Sequence, residues 1–483
     1  MPSEIALLMA DPRYEYDVRG LIGAFYPGVP VRKNPETPDA GALRLTVDAQ
    51  PSCWQLRAEE AERITEECPA VPEDSSKEKN ALKKGLYRLL VRHTGRTLPW
   101  GTLTGIRPAK LASGVLRQGG SREDAEAFLM NEYEVSPQKA ALCTSAALAE
   151  ARLLNGKGYE KGFSLYLGIP FCPTRCLYCS FASNPLAGNE ERVEAYLDAL
   201  IRELRETAGI LRDRPLFSVY IGGGTPTSLT ASQLDRLLTA VYDTYPAEHI
   251  AEFTVEAGRP DSISDDKLRV LAQHRVSRIS INPQTMNQRT LDRIGRSHSP
   301  EDVVRAFGAA REYGFDNINM DIILGLPGED AADAAHTLDA ISRLHPESVT
   351  VHALAVKRAS RLREEGGFTH APGSVIGAQA ELVDEFVRRE GMYPYYLYRQ
   401  KNMAGNQENA GYCLPGKDGL YNVLMMEEIH SILALGAGTV TKAVFPGGRI
   451  ERADNVKDLG QYLSRVGEMI DKKITLFGEQ AQI

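Results

Sequence analysis

Cysteine is scarce in this chain: seven in 483 residues, an odd number, with Cys53, Cys68, Cys143 and Cys413 scattered along it. That is no disulfide framework. Long apolar runs are missing as well, since no stretch reaches the roughly 18 residues a membrane span requires. The opening "MPSEIALLMADPR" has no basic flank before its short apolar run and an Asp-Pro after it, so no signal peptide is expected. Lys and Arg form no stripe and the net charge is -8, which argues against nucleic acid as the principal partner. Internal repeats and low-complexity tracts are also absent. What these absences leave is a chain expected in a reducing cytoplasm. At 43% apolar, it is long enough to bury the cores of two or three domains.

From about residue 163 onward, β-rich runs alternate with helical stretches: "SLYLGIP", "LFSVYIGGG", "EFTVEAG", "SRISINPQ", "NINMDIILGLP" and "SVTVHALAV". Between the first two, Val193, Tyr196, Leu197, Leu200, Ile201 and Leu204 fall on one helical face. Alternation of this kind implies right-handed βαβ crossovers and a parallel sheet. The nearly continuous apolar strands imply a sheet buried on both faces. Six βα units suit an incomplete barrel or an open sheet, with functional groups on the loops after the strand C-termini. The expected division is an N-terminal α+β domain over 1–160, an α/β core over 161–370 and a C-terminal α/β extension over 371–483.

"CPTRCLYC" puts Cys172, Cys176 and Cys179 on the loop after the first of these strands. A structural zinc site needs four ligands, usually in two pairs, and neither a second CxxC nor a CxxH follows. A thioredoxin-like dithiol would leave Cys172 unexplained. A [4Fe-4S] cluster held by three thiolates leaves one iron open for a substrate or cosubstrate. Further along, "GGGTPT" follows the second strand, and Glu256, Gln284 and Asp321 each end or interrupt a later one. Polar side chains at successive strand ends read as a site.

With the Cx3CxxC loop and the Gly-rich turn in this order, the sequence resembles the radical SAM superfamily. There, the amino and carboxylate groups of S-adenosylmethionine (SAM) chelate the fourth iron. "YLGIPFCPTRCLYCSF", "YIGGGTPT", "TVEAGRP", "SINPQTMN", "RIGRSH" and "DIILGLPGE" are similar, block by block, to the oxygen-independent coproporphyrinogen III oxidase and dehydrogenase family. The front region with "PWGTLTGIRPAK" resembles that family's N-terminally extended branch.

The resemblance implies a partial (β/α)6 radical SAM barrel. Cys172, Cys176 and Cys179 would ligate the cluster, with Tyr166 close to it. Gly223, Gly224 and Thr225 would line the methionine end of SAM, with Glu256 and Arg296 near its polar groups, and Gln284 and Asp321 would contact the adenosyl portion. The implied reaction begins with one-electron cleavage of SAM to methionine and a 5'-deoxyadenosyl radical. That radical takes hydrogen from a propionate β-carbon. Loss of CO2 and one electron then leaves a vinyl group. Done twice, this turns coproporphyrinogen III into protoporphyrinogen IX, with a flavodoxin- or ferredoxin-type reductant as electron source.

A substrate with four carboxylates calls for a local basic pocket. Candidates are Arg107, Lys110, Arg175, Arg399 and Lys401, with Arg175 favoured because its loop is already committed to the site. His298, His352 and the tyrosines at 393 to 398 are weaker candidates. Two departures from the family pattern, Gly168 for a histidine and Phe181 for an extra cysteine, leave the cluster intact but bear on the substrate. Two related activities therefore stay open: a haem chaperone, and a haem-opening radical methyltransferase.

Overall fold

In a computed structural model, all residues are described except 1, 40, 106, 182, 356–361, 363–370, 401–402 and 479–483. Contacts group the chain into two compact units, one of residues 1–148 with 397–409 and one of residues 149–396 with 410–483.

The first unit is built on a five-stranded sheet in the order β2-β1-β3-β4-β5, from β1 (Ile5–Met9), β2 (Val31–Lys33), β3 (Leu43–Ala49), β4 (Trp54–Glu60) and β5 (Arg63–Glu67). Strands β3 and β4 alternate buried and solvated residues, so one face is apolar. That face packs with helices α1 (Glu15–Phe25) and α2 (Ser75–Thr94) around Leu7, Ile22, Leu45, Leu56 and Leu86. Asp74 caps α2 through the Ser76 amide and Gly95 closes it in the left-handed conformation. Helices α3 (Ala109–Arg117), α4 (Arg122–Tyr133) and α5 (Pro137–Leu154) follow.

One expectation about this unit is corrected. Cys53 and Cys68, read as scattered, are paired as a disulfide with their Cα atoms 5.7 Å apart. The β4–β5 hairpin folds residues separated by 15 positions back onto each other. The segment 397–409 also belongs here. Glu408 ties it in, accepting from Lys139 Nζ at 2.6 Å and Trp100 Nε1 at 2.7 Å, all three side chains being buried.

The second unit carries the alternating strands. They are β6 (Phe163–Ile169), then a short pair β7 (Phe171–Cys172) and β8 (Asn184–Pro185), then β9 (Leu216–Gly223), β10 (Glu252–Glu256), β11 (Arg278–Ser280), β12 (Ile318–Leu324) and β13 (Ser348–Ala353). The six longer strands pair in parallel in the order β6-β9-β10-β11-β12-β13. Between them run α6 (Glu190–Thr207), α7 (Ala231–Thr244), α8 (Asp265–Gln273), α9 (Gln288–Ile294), α10 (Pro300–Glu312) and α11 (Ala331–Ser342). All six apolar residues read onto one face of α6 are buried. The chain thus has the α/β architecture of a partial (β/α)6 barrel.

The later part of the chain extends this same sheet at both ends. After α12 (Gly373–Arg389), strands β14 (Tyr393–Tyr398) and β15 (Asn409–Cys413) add beyond β13, with β15 antiparallel to it. After α13 (Leu420–Glu427), β16 (Ser431–Leu435) lies parallel to β6, and β17 (Val440–Val444) and β18 (Ile450–Asp454) continue antiparallel. Helix α14 (Leu459–Gly478) is the last described element. No helix among the described residues is long and apolar enough to cross a membrane.

Candidate active site

The cysteine loop, the Gly-rich turn and Glu256 all lie at the C-terminal ends of parallel strands. The chain leaves β6 at Ile169 and enters the cysteine loop, which is laced to the Gly-rich turn after β9. The Gly224 amide donates to Ile169 O at 2.8 Å and the Thr225 amide to Phe171 O at 2.7 Å. The Thr225 hydroxyl lies 3.4 Å from Cys172 Sγ. Side chains are excluded at this contact. A Cβ on Gly224 would lie 2.5 Å from Phe171 O, 2.9 Å from Ile169 O and 3.0 Å from Cys172 Sγ. Gly223 adopts φ +111, a backbone that β-carbons disfavour.

Cys172 and Cys176 are buried and Cys179 is half-buried. Burial pushes the Cys172 thiol up to about 11 and raises Cys179, with the neighbouring sulfurs adding to both. Thiols this hard to ionise become ligands once bound iron supplies the compensating charge. No three Cys, His, Asp or Glu among the described residues converge as a single ion requires. In a four-iron cluster each thiolate would bind a different iron, so three ligand sulfurs need not converge on one ion as they would around zinc.

Arg259, which the sequence reading passed over, braces this loop. Its Nη1 donates to the Thr174 carbonyl at 3.1 Å and hydroxyl at 2.7 Å and lies 3.8 Å from Cys176 Sγ, while Asp261 holds Nη2 at 2.6 Å. The signal was adjacent to residues already singled out, in "TVEAGRP". Arg296 is buried beside the same loop, with Nη2 on Gly258 O and Asn282 O and Nη1 on the Tyr178 hydroxyl. Arg175 is half-buried and its charge favours ionisation of Cys179.

Glu256 ends β10. Its Oε1 accepts from the Tyr220 hydroxyl at 2.5 Å and its Oε2 from the Gly223 amide at 3.2 Å. Burial, helped by the Asp321 charge, raises this carboxyl to about 7 despite both hydrogen bonds. Asp321 lies mid-strand in β12 rather than at its end, and accepts from Asn319 Nδ2 at 2.7 Å. His352 faces it at 3.6 Å. Gln284 stands at φ +66, its amide donating to Asp321 O, and its buried Oε1 has no hydrogen-bond partner. A left-handed backbone is uncommon for a residue with a side chain, and the buried Oε1 is an acceptor that a ligand's donor could satisfy.

Tyr166, Tyr220 and Tyr421 stack beside Glu256, the closest rings 4.5 Å apart. Register explains it: Tyr166 on β6 is opposite Tyr220 on β9. Tyr421 joins them because Glu252 accepts from the Leu420 and Tyr421 amides at the start of α13. A cavity of about 410 Å³ opens on Tyr166, Gly223 and Tyr421 and runs past Gly168 and Phe181 along the face of β16 and β17. Gly168 cannot be the family's histidine without movement, since a Cβ there would lie 2.6 Å from the Thr439 methyl.

Arg175, the favoured basic candidate, is not among the described residues that line this cavity. Arg399 is buried in the first unit, over the Trp100 ring and donating to Leu103 O and Asn406. Arg107 and Lys110 also belong to that unit, and Lys401 lies outside the described residues. His298 is fully buried and kept neutral by burial and by Arg296, down to about 4. Tyr395 and Tyr396 are core.

The residues present fit the cluster and SAM. Three grouped thiols are braced by two arginines, a glycine cradle admits no Cβ, and Gln284 offers a buried acceptor. Residues 166–341 match the model of the radical SAM superfamily. The chain is 40% identical over 402 residues to the oxygen-independent coproporphyrinogen-III oxidase-like protein HemZ of Bacillus subtilis, covering 82% of this chain and 80% of that protein. It is 34% identical over 238 residues to the haem chaperone HemW of the same organism, covering 48% of this chain and 62% of HemW. The fold is shared with the Escherichia coli coproporphyrinogen III oxidase HemN, with a TM-score of 0.51 at 23% identity over 67% of this chain and 73% of that one. Block-by-block motifs, barrel and a relative matched over most of its length agree: this chain belongs to the oxygen-independent coproporphyrinogen III oxidase family of radical SAM oxidoreductases, which work with a [4Fe-4S] cluster and SAM.

Proposed function

We propose that the protein oxidatively decarboxylates two propionate side chains of coproporphyrinogen III to vinyl groups. The observation that carries this reading is the cavity that begins at Tyr166 and Gly223, against the cysteine loop, and continues along an apolar sheet face. In this reading Cys172, Cys176 and Cys179 hold the cluster, Gly223, Gly224 and Thr225 cradle the methionine end of SAM, and Glu256 accepts from its amino group. Gln284 and Asp321 take the adenosyl end, and Arg296 fixes the Tyr178 side of the cluster loop. When bound, the cluster and SAM supply the one-electron cleavage that starts hydrogen abstraction. The chain's own part is exclusion and orientation: Tyr166 and Tyr421, stacked on Tyr220 behind them, wall the cavity against water, and Glu252 locks Tyr421 in position. A small flavodoxin- or ferredoxin-type protein is the proposed reductant.

The chain is 34% identical to a haem chaperone and has Phe181 where an extra cysteine was expected, which supports a second reading, haem delivery. One experiment separates the two. The protein, reconstituted anaerobically with iron and sulfide, is given reductant, SAM and coproporphyrinogen III, and CO2, vinyl products and 5'-deoxyadenosine are measured together. Haem binding and transfer to an apo-acceptor are measured on the same sample. Decarboxylation in step with 5'-deoxyadenosine supports the first reading. Tight, transferable haem with no CO2 replaces it with the second.

A further inference from the structure

The cavity has a charged end that the family motifs do not include. Strand β16 pairs with β17 through Ile432 and Lys442, and β17 with β18 through Lys442 and Arg452. Cross-strand neighbours share a face. The register therefore lines up Ile432, Lys442 and Arg452 on the face that forms the cavity wall. Glu428, at the C-terminus of α13, lies between the two cations. Its Oε1 is 3.5 Å from Lys442 Nζ and 3.5 Å from Arg452 Nη2. Lys442 also donates to Met425 O at 2.9 Å. Among the described residues, the charged ones lining the cavity are these three, two positive and one negative. Lys442 is almost buried, with its side chain 10% exposed, whereas that of Arg452 is 55% exposed.

A buried ammonium in a largely apolar wall is costly unless an anion stays beside it. Glu428 meets this need for the folded chain. The same site is chemically suited to a carboxylate at the end of a flexible arm, the rest of the ligand lying on Ile432, Val440 and the tyrosine wall.

We propose that Lys442 and Arg452, with Glu428 as their resident counter-ion, form the carboxylate-binding end of the substrate cavity and hold one propionate of a tetrapyrrole while another faces Tyr166. This rests on the decarboxylation reading for the identity of the substrate. The geometry assigns the two cations different weights: Lys442, the more buried, contributes more, and Arg452 at the mouth contributes less because water screens it. Glu428 competes with the incoming carboxylate.

The test is equilibrium binding to the full-length, cluster-reconstituted protein, followed by fluorescence quenching, of coproporphyrin III and of its tetra-amide. Lys442→Met should weaken coproporphyrin III binding at least tenfold and Arg452→Gln about threefold. Glu428→Gln, which removes the competitor and keeps the shape, should tighten it. None of the three should change tetra-amide binding more than twofold. Circular dichroism melts accompany each variant, and because Arg452→Gln alters an exposed side chain and Glu428→Gln has the opposite expected sign, misfolding cannot imitate the pattern. Binding of coproporphyrin III that stays within twofold of the parent in all three variants would overturn the proposal, even where coproporphyrinogen turnover is observed. The expected pattern of affinities in a protein that releases no CO2 from coproporphyrinogen III would uphold the carboxylate site and remove the decarboxylation reading.

Discussion

Glu256 sits where two demands on a carboxylate conflict. Burial favours its neutral form, while the Tyr220 hydroxyl and the Gly223 amide favour the charged one, and the balance leaves it titrating at about 7 against an ordinary value near 4.5. The folded state therefore binds this proton more tightly than the unfolded chain. Between pH 4.5 and 7 the unfolded chain gives up its proton first, so the group's contribution to stability falls across that window and stays flat above it. Glu256→Gln should flatten this slope and stabilise the cofactor-free protein at pH 8 by at most about 3 kcal/mol. Tyr220→Phe removes a bond to the ionised form and should move the transition above 7. Urea melts from pH 5 to 8.5 read both; an unchanged slope in the glutamine variant would locate the titration elsewhere. If Glu256 accepts from SAM's amino group as proposed, the charged carboxylate is the better acceptor, and SAM affinity should also rise with pH up to about 7 and level off. The cysteines divide just as sharply. Ala at Cys172, Cys176 or Cys179 should abolish the roughly four irons per chain expected of one cluster, and Ala at Cys143 or Cys413 should not. Iron assays on reconstituted variants decide it, and a cluster that survives loss of Cys176 but not of Cys413 would refute the loop assignment.

At the scale of elements, the cysteine loop and the Gly-rich turn act as one piece, stitched by two backbone hydrogen bonds and closed by contact at Gly224. Gly224→Ala forces a methyl group against two carbonyl oxygens and a sulfur, and neither loop can yield without moving the other. Such overpacking costs about 1–3 kcal/mol. SAM binding should weaken by at least tenfold while iron content falls less. Thermal melts and SAM titration of the reduced protein check this, and unaltered SAM affinity in the alanine variant would mean that the two loops move independently. These elements were legible in the sequence because the information is local. Continuous apolar runs announce buried parallel strands, and spacing alone groups Cys172, Cys176 and Cys179. Elements set by pairing at a distance were not legible. Nothing near Lys442 in sequence says that it lines up with Ile432 and Arg452, and nothing near Trp100 anticipates Glu408. Arg399 read as a candidate for substrate because a lone arginine in a tyrosine-rich stretch gives no hint of its burial.

At the scale of the whole molecule, the C-terminal strands are part of the barrel unit rather than an appendage, and one buried ion pair records how they are fastened. Glu203 on α6 and Lys473 on α14 are both fully buried, 2.7 Å apart. Glu203 Oε1 also accepts from Asn455 Nδ2, and Oε2 from the Tyr462 hydroxyl and the Gly436 amide at the turn that carries β16 into β17. Tyr196, one of the residues on the apolar face of α6, donates to Gly168 O at 2.5 Å and accepts from the Ala437 amide, so the turn is bound to the strand that leads into the cysteine loop. Burial, with a smaller contribution from Lys472, pushes the Lys473 ammonium below its ordinary range against the opposing pull of Glu203, and Asn455 Oδ1 and Met469 O accept its other hydrogen bonds. Removing one partner strands the other, at about 3–5 kcal/mol. Lys473→Met should therefore destabilise strongly and loosen the turn that walls the cavity. In the double variant Glu203→Gln with Lys473→Met, neither charge remains, and much of that loss should return. A double-mutant cycle by urea denaturation measures the coupling, with cluster content followed in parallel. Additive single effects would show that α14 is held by its apolar face alone. A large positive coupling, with iron retained in the double variant, would show that the C-terminal helix and the cluster strand are secured through one shared network.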